Sequence, residues 1–191
     1  MKCSIHQPNF FPNFRIFQKI LRADVHIIME NCQFSYGDFQ NRFHINDKWY
    51  TLGVKDPKHF ELIKNKKYKN PNSDWINILN RLPEYSNILS IFTQFISENL
   101  CETNCNILKS ILQLLKINKS VFYDYPTVLR KNERIIELCQ SVNCDQYICG
   151  LGARTYIDED MFKKSGIGII FMKPEEIIDT SIIEVLHDEI K

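Results

Sequence analysis

The amino-acid sequence predicts an α/β fold: a doubly wound, mostly parallel sheet with an appended β-hairpin and a helical insertion. Three observations predict it. Short apolar or β-branched runs recur at residues 2–6, 25–29, 121–125, 146–150 and 168–172, most of them separated by stretches with helical spacing. The first two runs flank a helix of about ten residues, the pattern of a right-handed βαβ unit. The composition is that of an ordinary globular chain: 191 residues, 44% hydrophobic and 25% charged. One domain over residues 1–191, with a helical insertion at about 73–117, accounts for that length.

The first strand, KCSIH, ends at Gln7-Pro8, because Pro8 lacks an amide hydrogen and biases Gln7 away from helix. Asn13 is a candidate N-cap for FRIFQKILRA. Phe14, Phe17, Ile20 and Leu21 make its apolar face, leaving Arg15, Gln18, Lys19 and Arg22 for solvent. VHIIM is the second strand. RFHI and WYTLGV flank the turn-forming Asn46-Asp47-Lys48 and predict a hairpin. Lys55 to Asn72, with its KNKKYK run, reads as a solvated loop. In the insertion, Ser73 and Asp74 cap WINILNRL and Pro83 stops it; YSNILSIFTQFISENL and NILKSILQLLKIN carry apolar residues three and four apart. The α/β alternation then resumes through VFYDY, RKNERIIELCQSV, QYICG, a short helix from Asp158 to Ser165, GIIFM and the helical IIEVLHDEI.

Charge and composition exclude several classes. Net charge is +1, from 24 Lys and Arg against 23 Asp and Glu, which gives no general pull toward nucleic acid or an anionic membrane. No apolar run approaches the ~18 residues of a membrane span, and no secretory signal opens the chain, so a cytoplasmic location is expected. The seven Cys lack CxxC spacing and read as reduced, buried, apolar residues; no metal site is expected.

In an open parallel sheet, ligands bind at the carboxyl ends of the strands. His6, Gln7 and Asn9 follow the first strand in this way. His6 is the lead candidate for a general base, because imidazole titrates near neutrality. Gly150-Leu151-Gly152-Ala153-Arg154 follows the strand QYICG. Gly150 and Gly152 let backbone approach an anion, and Arg154 adds a charged fork. The segment is neither GxGxxG nor a P-loop, and a tight turn with positive-φ glycines is the plain structural alternative. Tyr156 and Asp158 suit stacking on a base or sugar and holding hydroxyls. Gln40-Asn41-Arg42, entering the hairpin, offers amides and a guanidinium for sugar hydroxyls and phosphate. His26, His44, His59 and His187 are scattered and read as structural.

IHQPNFFPNFRIFQKILRADVHIIMENCQFSYGDFQNR resembles the N-terminal signature of WbqC-like proteins, including HQPN, the Gln33-Phe34 pair and the closing Gln-Asn-Arg. YICGLGARTYIDEDMFKKSGIGIIF is similar to the family's second signature. Members usually continue into a His-Pro-x-Tyr-x-Gln segment; here Lys173-Pro174 stands in its place and the Tyr and Gln are absent. The resemblance implies a setting in O-antigen or lipopolysaccharide biosynthesis. From that setting follows a transferase placing an acyl or aminoacyl group on the amine of a nucleotide-linked amino sugar. His6 would be the base, Arg42 and Arg154 would hold phosphates, and Gln7, Asn9, Gln33, Asn41, Gly150, Gly152, Tyr156 and Asp158 would bind substrate. The implied partners are that sugar and an acyl or aminoacyl donor; no cofactor is named.

Two alternatives belong to other classes. Nucleotidyl or adenylate-forming chemistry also uses a strand ending in a His turn, but Asn9-Phe10 occupies the place of the second His such enzymes carry. A non-catalytic binding module of a glycan pathway would use the apolar stripes of residues 85–117 for a partner or a homodimer.

Overall fold

The computed structural model describes residues 1–57 and 60–190; Lys58, His59 and Lys191, and with them the structural reading of His59, lie outside the described residues. The chain divides into two compact units, each described by itself. A sheet unit comprises Met1–His6, Arg15–Met29 and Lys119–Ile178; a helical unit comprises Gln7–Phe14, Glu30–Asn118 and Asp179–Lys191.

The sheet unit is the predicted α/β core. Its strands are β1 (Lys2–His6), β2 (Val25–Ile28), β5 (Ser120–Tyr123), β6 (Gln146–Cys149) and β7 (Gly168–Phe171), all parallel, in the order β5-β2-β1-β6-β7. Side chains alternate between faces. Cys3, Ile5, Val25, Ile27, Tyr147 and Cys149 form one apolar face, packed with Ile136, Leu138 and Cys139 of α5 (Lys131–Ser141) and Phe162 of α6 (Glu159–Lys164). On the other face Ile148 and Met172 pack with Ala23, directly after α1 (Phe14–Arg22). Helices on both faces make the unit doubly wound. The Arg134 guanidinium is buried against Asp124 Oδ2 at 2.9 Å and also donates to Glu137 Oε2 at 2.6 Å and to the Tyr125 carbonyl, tying α5 to the end of β5.

Helix α1 corrects one expectation. Lys19 is buried and Leu21 is 47% exposed, the reverse of the solvent assignment above. Lys19 lies three residues after Ile16 and four before Ala23, so the helical period puts it on the face that meets the sheet.

The helical unit holds the hairpin of β3 (Arg42–Ile45) and β4 (Lys48–Thr51), antiparallel, with Asn46 and Asp47 at φ 48° and 60°. Positive φ at both turn residues is the two-residue geometry that matches strand twist, and Asn and Asp tolerate it. Lys48, expected in the turn, is the first residue of β4. Helix α2 (Pro71–Arg81) starts two residues before Ser73, on the pre-set φ of Pro71, and Asp74 accepts from the Gly53 amide at 2.8 Å. The apolar stretch after Pro83 is broken into α3 (Ser86–Ser90), a 3₁₀ turn and α4 (Leu100–Leu114). Polar side chains stop it: Thr103 Oγ1 accepts from Ser97 N, and Asn99 caps α4 by accepting from Glu102 N at 3.0 Å. Helix α7 (Ile182–Ile190) packs on α3.

HQPNFFP supplies the centre of this unit's core. Phe10 and Phe11 are buried, and Phe11 stacks on Trp75 (centroids 5.8 Å apart) and meets Phe43 and Phe92 edge-on. Phe11 sits at φ 46°, a backbone region a bulky residue occupies only when its surroundings impose it. The KNKKYK segment is likewise not all solvated. Lys66 and Tyr68 are wholly buried, because Lys66 Nζ finds the Asp56 carbonyl at 2.7 Å and Glu61 Oε1 at 3.0 Å.

Candidate functional site

Strand order decides where the carboxyl-end residues meet in the sheet unit. From β1 the chain proceeds through β2 and β5 on one side, then crosses to β6 and β7 on the other. The reversal falls between β1 and β6, the position where open α/β sheets hold ligands. The pairing there stops early. β1 and β2 stay paired to His6↔Ile28, and β6 and β7 to Cys149↔Phe171, whereas β1 and β6 part after Ser4↔Ile148. Carried two residues further, that offset sets half-buried His6 level with Gly150, across an open seam.

The 150–155 segment is a 3₁₀ turn, Leu151–Thr155, entered from Gly150 at φ −77°. Neither Gly150 nor Gly152 has positive φ, and a Cβ added at either would meet nothing within 4 Å. Backbone strain and packing therefore explain neither glycine, and the space beside both is open. The exposed Arg154 guanidinium lies 4.6 Å from the Phe171 ring centroid. Tyr156 is exposed, and Asp158 caps α6 by accepting from Met161 N at 3.0 Å.

The α1 face of the sheet carries a buried polar pair beside its apolar residues. Ser4 Oγ lies 2.8 Å from His26 Nδ1, and both are buried. Burial pushes the His26 imidazole down to about 3, helped by the nearby Lys19 and His6 charges. Lys19 is held down to about 8, first by burial and then by Arg15, against the opposing pull of Cys149.

In the helical unit two stretches of the N-terminal signature, residues 7–10 and 38–40, run side by side. Phe10 N donates to the Phe39 carbonyl at 2.8 Å, and Gln7 Nε2 to Asp38 Oδ2 at 3.3 Å. Buried Asn104 bridges them: its Nδ2 donates to the Pro8 carbonyl at 3.0 Å and the Gln40 carbonyl at 2.7 Å, while its Oδ1 accepts from Tyr68 Oη at 3.0 Å. The Asn41 amide donates to the Leu52 carbonyl at 2.8 Å, and Gln33 is exposed beside a bridge to Leu62. Arg42 donates to the Gly37 carbonyl and stacks 4.0 Å from the Trp49 centroid.

Among the described residues, the buried side-chain polar atoms without a hydrogen-bond partner are Asn9 Oδ1, Gln40 Nε2 and Arg42 Nε. All three fall in HQPN or FQNR. The Ser35 amide, donating to Gln40 Oε1 at 2.8 Å, fixes which end of that side chain is left over. Buried polar groups are nearly always paired, so a set confined to two motifs stands out. No group of three or more His, Cys, Asp or Glu able to hold a metal occurs among the described residues. Likewise, no helix among them is long and apolar enough to cross a membrane.

The model of the WbqC-like protein family matches residues 7–179, most of the chain. The chain belongs to the WbqC-like family. A similar protein is the uncharacterized protein Rv1507c of Mycobacterium tuberculosis (strain ATCC 25618 / H37Rv), 26% identical over 186 residues, covering 88% of this chain and 80% of that one. No solved structure matches. The segment after β7, with Lys173-Pro174, straps onto α1. Glu176 accepts from Arg22 Nη1 at 2.6 Å, and Gln18 exchanges hydrogen bonds with Glu176 O and Ile178 N. Sequence reasoning missed Asn104, Ser4, His26 and Lys19. Only Lys19 left a signal, its spacing from Ile16 and Ala23.

Proposed function

We propose that this WbqC-like protein is a cytoplasmic transferase of surface-polysaccharide biosynthesis, placing an acyl or aminoacyl group on the amine of a nucleotide-linked amino sugar at the β1–β6 seam. The observation that carries this reading is the early parting of β1 and β6 at the point of strand-order reversal, with His6 on one lip and two unconstrained glycines on the other. Glycines with open space beside them suit close approach of a diphosphate to main-chain amides, and Arg154 adds charge. His6 takes the amine proton as nitrogen attacks the acyl carbonyl; the C–N bond forms, the bond to the leaving group breaks, and His6 returns the proton to that group. Tyr156 and Asp158, of the same sheet unit, are assigned to recognition of that substrate; Gln7, Asn9, Gln33, Asn41 and Arg42 of the helical unit are proposed, by themselves, as a polar ligand-binding set.

The test is turnover by mass spectrometry across nucleotide-linked amino sugars and acyl or aminoacyl donors. His6→Ala is expected to lose at least 10²-fold in rate, the usual scale for a general base, with nucleotide-sugar binding nearly unchanged. Unchanged turnover removes His6 from the mechanism. Nucleotidyl chemistry is disfavoured further because Asn9 and Phe10, both buried, occupy the stretch where the second His would be needed. Incubation with ATP and an acid is expected to release no pyrophosphate.

A further inference from the structure

A buried lysine needs a partner for its charge, and Lys19 has little. Its Nζ makes one hydrogen bond, 3.4 Å to the Ile5 carbonyl, and no carboxylate pairs with it among the described residues. Isolated buried ammonium groups are costly, so such a group either gives up its proton or takes an ion as its partner. The location is informative. The His6 carbonyl accepts from Met29 N, on the β2 side, and successive carbonyls alternate in direction along a strand, so the Ile5 carbonyl faces β6. Ile5 is the residue at which β1 and β6 part, so Lys19 Nζ takes a carbonyl that the ladder has released. The ammonium therefore stands at the root of the open seam, below His6 and close to Cys149 at the end of β6.

We infer that Lys19 is an anion-binding residue of the β1–β6 seam, its ammonium receiving a phosphate or carboxylate oxygen of the bound molecule. This rests on the seam being the substrate site and adds to it a second positive charge beside that of Arg154. The groups acting on Lys19 are Cys149 from β6 and Arg15 from its own helix; His26 from β2 is near it, and His6 from β1 acts on His26. His26 stays neutral above pH 7, since burial holds it at about 3, and burial pushes the Cys149 thiol up to about 11. Binding to Lys19 is therefore expected to weaken as pH rises from 7 to 9, through the Lys19 value of about 8.

The experiment uses sulfate and acetate, which keep their charge over that range and stand for phosphate and carboxylate. Each is titrated into the whole protein by NMR at fixed ionic strength, at pH 7 and pH 9, with wild type, Lys19→Met and His6→Ala. At least one anion is expected to shift residues at the ends of β1 and β6, saturably. Its Kd is expected to rise about tenfold in wild type at pH 9, the deprotonation expected one pH unit above the titration point. Lys19→Met, which keeps an unbranched apolar chain, is expected to fold and to bind about tenfold more weakly at pH 7, with no further loss at pH 9. Wild-type affinity in Lys19→Met, or no saturable shift with either anion, overturns the inference. Sulfate binding alone assigns a phosphate, acetate alone a carboxylate. Lys19-dependent binding with unimpaired turnover in His6→Ala would sink the His6 mechanism and leave the anion site standing.

Discussion

Asn104→Leu swaps a wholly buried amide for an apolar side chain of similar volume, so packing changes little while three hydrogen bonds vanish. The Pro8 carbonyl, the Gln40 carbonyl and the Tyr68 hydroxyl lose partners at 3.0, 2.7 and 3.0 Å. A buried polar group stripped of its partner costs about 1–3 kcal/mol. Three of them, with some relaxation, give about 3–6 kcal/mol, a large part of the roughly 5–15 kcal/mol that holds a domain folded. With a urea dependence of about 2 kcal/mol per molar, the midpoint falls by about 1.5–3 M. Trp75, buried in the same unit, reports the transition by fluorescence. Tyr68→Phe supplies the control: about 1 kcal/mol of loss in wild type, but neutral or stabilising in Asn104→Leu, where the hydroxyl is already orphaned. A midpoint within error of wild type, or an equal cost of Tyr68→Phe in both backgrounds, would refute the bridging role.

Three further outcomes are expected. The His26 value in the folded protein, about 3, lies below the ordinary 6.5, so the unfolded chain binds the extra proton; its stability contribution is full above pH 6.5 and declines as pH falls toward 3. Between pH 7.5 and pH 5 wild type is expected to lose about 2 kcal/mol that His26→Gln does not lose, read from urea midpoints; equal losses would contradict it. Arg134→Leu takes the guanidinium from buried Asp124 and is expected to cost about 3–5 kcal/mol by the same assay, with a cost under about 1 kcal/mol as the contrary result. Gly152→Val meets open space without positive φ, so it is expected to move the melting temperature little while weakening nucleotide-sugar binding at least tenfold; unchanged binding would remove the turn from the site.

How much of this was legible in the sequence follows from which forces are local. The strands were readable because β-branched runs stop at Pro8, Gly150 and similar signals, and all five end within two residues of expectation. Their order was not readable, since β1–β6 pairing depends on contacts more than a hundred residues apart in sequence. His6 and Gly150 were readable as strand-end residues, and both stand at strand ends. Lys19 and Lys66 were misread because charge was taken to mean exposure, whereas helical position buries the first and two oxygen partners bury the second. Asn104 falls between the two apolar stretches read as helix and left no signal; only the approach of Pro8 and Gln40 gives its amide something to hold.

A crystal structure of the wild-type protein with a bound nucleotide-linked amino sugar tests the central claim most directly. The diphosphate is predicted to lie over the amides of residues 150–152, with the sugar amine within hydrogen-bond reach of His6. A ligand bound clear of both the end of β1 and the 150–154 turn would contradict the account.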